Sequence, residues 1–144
     1  MFKALYPNLI PEKQTQYSAG FDIRSRAKVV VPPRSIETVK TGVFIANDSE
    51  DWYALKDNHF ILMTLRSSLA KKGLTMANGV GIIDMDYGDE IQVMLYNTTT
   101  DYVTIQRHER IAQLIVIEHL PYLQGVYHKE SERVGGFGST GRIA

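Results

Sequence analysis

The sequence predicts an all-β domain, a jelly roll or distorted barrel of short strands, with one short helix and a flexible glycine-rich C-terminal tail. Three observations carry this. Short β-branched or alternating apolar runs recur along the whole chain, proline and glycine turns separate them, and helix signals are scarce. No internal repeat or low-complexity linker divides the chain, and 144 residues suit a single core. The β-domain is read as residues 1–132 and the tail as 133–144.

Phe2 to Tyr6 reads as a first strand, after which Pro7 and Pro11 should hold the chain extended and out of helix. Phe21 and Ile23 alternate with Asp22, so a strand here puts the carboxylate on the face opposite the apolar pair. Lys28 to Val31 is a β-branched run stopped by Pro32 and Pro33, and Ser35 to Ala46 alternates with a bulge or bend at Gly42. Asn47 to Asp51 is a polar turn. Trp52 to Leu55 and Phe60 to Leu65 then read as two further apolar strands. The single helix is placed at Ser67 to Lys72, capped by Ser67 or Ser68 and stopped by Gly73.

Asn78 to Asn97 reads as a β-hairpin bearing Asp84 directly behind Ile82 and Ile83. A carboxylate in that position is partly withdrawn from water, where ionisation is costly without compensation, although Asp84 and Asp86 read equally well as turn residues. Asp101 to Gln106 alternates again. Arg110 to Glu118 is a long apolar strand interrupted by Gln113, an amide that serves either as a structural bridge or as a ligand contact. Four of the chain's eleven glycines lie between Gly135 and Gly141, a density that no packed element tolerates.

Sixteen basic residues balance sixteen acidic ones, so no net field draws the chain to nucleic acid or to an acidic membrane. The absence of cysteine excludes disulfides, thiol nucleophiles and thiolate metal sites. The N-terminal stretch is too short and too broken by proline for a signal peptide or a membrane span, and the protein is expected in the cytoplasm of a cell or of an infected host cell.

The tail carries the clearest phosphate signal. Its glycines let backbone N–H groups approach an anion, Ser139 and Thr140 add hydroxyl donors, Arg133 and Arg142 supply charge, and Phe137 can stack on a base. Arg66, Ser67 and Ser68 at the mouth of the short helix form a second candidate for an anion. The four histidines lack a ligand spacing, but a magnesium ion held mainly by substrate phosphates needs only one carboxylate such as Asp22, through water.

Taken in order, AGFDIRS at 19–25, RSSLAKKGL at 66–74, NGVGIIDMDYGDE at 78–90, RIAQLIV at 110–116 and RVGGFGSTGR at 133–142 resemble the five motifs of the trimeric deoxyuridine triphosphatase family. The resemblance spans essentially the whole chain. It implies a homotrimeric jelly roll that converts dUTP to dUMP and pyrophosphate with magnesium, keeping uracil out of DNA and supplying dUMP for thymidylate synthesis. Each site would be assembled from three subunits, and no direct nucleic-acid or membrane binding is expected.

By position, Asp84 resembles the general base that readies water for the α-phosphorus, and Tyr87 resembles the ring beneath the deoxyribose. Asn78 and the backbone around Gly81 and Ile83 would meet the uracil edge. Arg66, Ser67, Ser68 and Gln113 match phosphate contacts, and Asp22 matches the acid that holds magnesium through water. Arg133, Phe137, Gly138, Ser139 and Thr140 would cap the γ-phosphate and the base from a third subunit. Three departures stand out: Ser68 where the family commonly has glycine, Gly88-Asp89 in place of Arg-Gly, and a tail one residue shorter between Arg133 and Phe137. Two rival readings share the fold. One is a deoxycytidine triphosphate deaminase, which needs a glutamate at the base's amino group; the other is a nucleotide-gated regulatory protein.

Overall fold

The computed structural model describes residues 1–123, and the tail motif lies outside the described residues. Among the described residues ten strands form: β1 (Phe2–Ala4), β2 (Phe21–Arg24), β3 (Val29–Val31), β4 (Ile36–Ile45), β5 (His59–Leu65), β6 (Leu74–Met76), β7 (Gly81–Ile83), β8 (Ile91–Asn97), β9 (Val103–Ile105) and β10 (Arg110–Glu118). They form a sheet in the order β1-β4-β8-β6, a second in the order β2-β10-β5-β7, and a small pair β3-β9, with every pairing antiparallel.

The two larger sheets close over one core. Val39, Val43, Val93 and Leu95 from the first meet Ile23, Ile61, Met63 and Leu114 from the second, all buried. Strand β8 buries every second residue, the pattern of a strand with one face in the core. Gly42 sits at the register shift of β4 with φ +70, and its N–H donates to Glu90 Oε1 at 2.6 Å. The expected bulge is there, and only glycine adopts that backbone without strain.

Helical structure exceeds the single expected helix. Trp52 to Leu55 is not a strand but part of helix α1 (Glu50–Leu55). Ser49 caps it by accepting from the Trp52 N–H at 3.2 Å, and Glu50 and Asp51 oppose the positive helix end. Of the expected polar turn Asn47 to Asp51, Asn47 and Asp48 do form a turn, closed by the Ser49 N–H on the Ala46 carbonyl at 3.1 Å, whereas Glu50 and Asp51 already belong to the helix. Pro7 opens a 3₁₀ turn, Pro7–Leu9, because proline at a first helical position has its missing N–H where none is needed. Helix α2 (Ser67–Lys71) is where expected and is followed by Gly73 at φ +85, but Arg66 occupies the cap position and, among the described residues, no side chain caps the turn.

The expected hairpin between Asn78 and Asn97 does not form. Strand β7 pairs with β5 in one sheet, while β8 pairs with β4 and β6 in the other. Residues 84–90 therefore cross from one sheet to the other, and the acidic loop rides on that crossing. Among the described residues, no helix is long and apolar enough to cross a membrane.

Candidate functional site

The outward face of the second sheet changes character along its strands. Asp22, Gln113 and Thr64 stand side by side on β2, β10 and β5 and form one polar row. Two residues further along, Arg24 pairs with Arg110, and Arg66 continues β5 with its N–H on the carbonyl of Ile111 at 3.0 Å. Three guanidinium groups thus follow the polar row. In the other direction the row Ile115, Leu62 and Ile82 is apolar, and Ile82 is 60% exposed.

The arginine end opens into a depression of ≈ 450 Å³ lined by Arg24, Arg66, Lys72 and Arg110, with Ser68, His108 and Glu109. Asp22 lies beside two of these cations: its Oδ2 is 3.8 Å from Arg66 and 3.6 Å from Arg110. Both distances are too long for hydrogen bonds. With its side chain only 11% exposed, Asp22 is largely withdrawn from solvent. Its Oδ2 and the Thr64 hydroxyl are the two buried side-chain polar atoms without a hydrogen-bond partner among the described residues. Both belong to the row that Gln113 bisects.

The acidic loop lies at the other end of the sheet. Ile83 pairs with Ile61, near the start of β5, so Asp84 and Arg66 are separated by most of that strand, roughly 15–20 Å. Asp84 is half-buried behind Ile83, whose side chain is in the core, so only the Ile83 backbone can face a ligand. Gly81 is buried against Met63, whose Cε lies 2.8 Å from where a Cβ would sit, while Asn78 is exposed in the turn before β7.

The loop is pinned along its length. The Tyr87 N–H donates to the Asp84 carbonyl at 3.1 Å and the Tyr87 hydroxyl to the Glu90 carbonyl at 3.2 Å. The Trp52 indole N–H donates to the Met85 carbonyl at 2.7 Å. Arg26 pairs with Glu90 at 3.2 Å, anchoring the loop's exit beside Gly42.

The structure therefore brings Asp22, Arg66, Ser68 and Gln113 to one end, with Ser67 exposed at the first position of α2. Ile83, Asp84 and Tyr87 lie at the other, while Gly81 stands opposite Met63 partway along β5 and Asn78 lies in the turn that precedes β7. Arg133, Phe137, Gly138, Ser139 and Thr140 lie outside the described residues. Sequence reading did not single out Arg24, Thr64, Lys72 or Trp52. Arg24 carried a usable signal, because it stands two residues after Asp22 on a strand and so shares its face. Thr64 carried none, since its place depends on β5–β10 register.

A two-sheet β-domain with a cation-lined depression at one end and a pinned carboxylate–tyrosine loop at the other belongs to the class of all-β proteins equipped for phosphorylated ligands. The family model described as dUTPase matches residues 7–141, and the chain belongs to the dUTPase family. It is similar to the deoxyuridine 5'-triphosphate nucleotidohydrolase of Cytophaga hutchinsonii, 36% identical over 141 residues that cover 94% of this chain and 86% of the relative. The protein of the same name from Neisseria meningitidis serogroup A is 34% identical over 143 residues, 93% of this chain and 89% of the relative. Its fold is similar to the crystal structure of dUTPase from Streptococcus mutans, with a TM-score of 0.74, 26% identity, and coverage of 86% of this chain and 98% of that one.

Proposed function

We propose that this chain is a dUTP diphosphatase, hydrolysing dUTP to dUMP and pyrophosphate. The observation that carries this is the family match across residues 7–141, which includes the acidic loop and the phosphate-side motifs together. In the reaction, water attacks the α-phosphorus, the bond to the bridging oxygen of the β-phosphate breaks, and pyrophosphate leaves with that electron pair. Asp84 takes the proton from the attacking water, an assistance commonly worth about 10² to 10⁴ in rate. Its half-buried place behind Ile83, on a loop held by Trp52 and Glu90, supports a fixed base rather than a mobile one.

Tyr87 lies beneath the deoxyribose and leaves no room for a 2′-hydroxyl. Asn78 and the backbone near Gly81 and Ile83 read the uracil edge, where cytosine would leave buried groups unpaired. Arg66, Ser67, Ser68 and Gln113 hold the phosphates. Residues 133–144 close over the site, with Arg133, Phe137, Gly138, Ser139 and Thr140 at the γ-phosphate and base.

The site is shared between copies of the chain. The separation of Asp84 and Arg66 along β5 exceeds the α-to-γ reach of one triphosphate, which supports a site where the loop of one subunit approaches the arginine end of the next. The exposed Ile82 and its apolar row give that neighbour a surface to cover. With the tail supplied by a further copy, three subunits close the ring.

Magnesium fits the donor set. Among the described residues, no cluster of three histidine or acidic side chains could hold a metal alone, whereas Asp22 offers a buried carboxylate oxygen without a hydrogen-bond partner. A divalent ion held mainly by substrate phosphates, with water bridging to Asp22, uses that acceptor and would neutralise charge on the triphosphate. This reading has the enzyme act in the cytoplasm of a cell or of an infected host cell.

The test is an incubation with dUTP and, separately, with the four common deoxynucleoside triphosphates, read for pyrophosphate. Selective release from dUTP is the expected result. Ammonia release from dCTP would instead make the chain a deaminase.

A further inference from the structure

We propose that Arg24, assisted by Lys72, is a substrate-binding residue that holds the leaving pyrophosphate end of the triphosphate. The inference deepens the dUTP reading and rests on it. Arg24 shares the depression with Arg66 and is set beside Arg110 on the next strand, so three guanidinium groups converge on a single surface. Four cations line that depression against one lining carboxylate, Glu109, which already pairs with Lys72 at 3.2 Å. Asp22 stands between Arg66 and Arg110. Arg24 has no carboxylate partner among the described residues: its Nη1 donates to the His108 carbonyl at 2.9 Å, a neutral group that fixes the side chain and leaves its charge uncompensated. A guanidinium that lines a basic depression and spends one N–H on a carbonyl keeps further donors for an anion with several oxygens.

Direction along the sheet says which part of the substrate arrives there. The row of Gln113 and Asp22 lies two residues along β2 from the row of Arg24 and Arg110, about 7 Å, with the extra residue of β10 taken up in its bulge, a step that one diphosphate unit can bridge. With the reacting phosphorus near Asp84 of the neighbouring subunit and the chain of phosphates passing Gln113 and Arg66, the far end enters the depression. Arg24 and Lys72 then meet oxygens that dUTP and pyrophosphate carry and dUMP lacks. Their contact acts on binding of the triphosphate and on release of the product, not on proton transfer.

The experiment compares the full chain with Arg24→Gln, Arg24→Lys and Lys72→Gln, each with magnesium. Pyrophosphate and dUMP are titrated by calorimetry, and KM and kcat are measured for dUTP. Arg24→Gln should weaken pyrophosphate and raise KM by about tenfold each, with dUMP affinity and kcat within about twofold. Arg24→Lys should retain part of that affinity, and Lys72→Gln, at a more exposed position, should shift it the same way by less. Unchanged pyrophosphate affinity in Arg24→Gln overturns the proposal, and so does a parallel loss for pyrophosphate and dUMP, which marks a structural defect. If Arg24→Gln does not fold, unchanged pyrophosphate affinity in Lys72→Gln overturns it. A wild-type chain that leaves dUTP intact would sink the assigned reaction instead, while its pyrophosphate titration still decides the role of Arg24.

Discussion

The indole N–H of Trp52 donates to the carbonyl of Met85 at 2.7 Å, so helix α1 holds the acidic loop between its two aspartates. Met85 itself is buried, which means that the carbonyl depends on this donor more than an exposed one would. Trp52→Phe keeps an aromatic ring and removes the donor. Unfolding in urea should show a loss of about 1 to 2 kcal/mol, and kcat should fall on the order of tenfold as Asp84 loses its fixed position. A destabilised variant with normal kcat would mean that the clamp serves the fold alone.

Helix α1 depends in turn on Ser49. Its hydroxyl accepts from the Trp52 N–H at 3.2 Å and donates to the Ala46 carbonyl at 2.7 Å, joining the helix start to the end of β4. Ser49→Ala should cost about 1 kcal/mol in urea denaturation, with a smaller drop in kcat than Trp52→Phe.

These two residues also mark what the sequence could and could not convey. Arg110 to Glu118 is read with its observed bounds because Ile115, Val116 and Ile117 favour strand and polar residues flank the apolar run. Trp52 to Leu55 is misread because four apolar residues fit a strand or a helix, and only the cap contact from Ser49 decides. The supposed hairpin fails for a related reason: β7 and β8 each find nonlocal partners, and local turn chemistry is silent on that. Candidate residues such as Asp84 and Arg66 are visible as motifs. Their separation along β5 is not, since it follows from strand register.

Thr64 makes a stability prediction of the opposite sign. Its buried hydroxyl has no hydrogen-bond partner among the described residues, and the exchange to valine keeps the branched shape that β5 packs. Thr64→Val should therefore raise stability by about 1 kcal/mol in urea. A loss of stability would show that the hydroxyl is satisfied in solution, by water or by a neighbouring subunit.

Tyr87 bears on sugar choice. Its ring is half-buried and its hydroxyl is tethered to the Glu90 carbonyl at 3.2 Å, so the ring has little freedom to move aside for a larger sugar. Tyr87→Ala should narrow the preference for dUTP over UTP, measured as a ratio of kcat/KM, by about 100-fold. An unchanged ratio would place ribose exclusion elsewhere.

The distance along β5 allows a direct test of shared sites. Asp84→Asn should bind a non-hydrolysable dUTP analogue normally while losing about 10² to 10⁴ in kcat, because the amide cannot accept the water's proton. Arg66→Gln should bind the analogue weakly. If Asp84 of one subunit works with Arg66 of the next, each defect lies on a different partner at every interface. Subunits of the two inactive variants, unfolded and refolded together, then rebuild some intact sites, and about a quarter of wild-type activity should return for random assembly. Sites confined to one chain could not recover at all, because every chain in the mixture carries one lesion. A mixture as inactive as its components, shown by native mass spectrometry to contain hybrid oligomers, would reject the shared site.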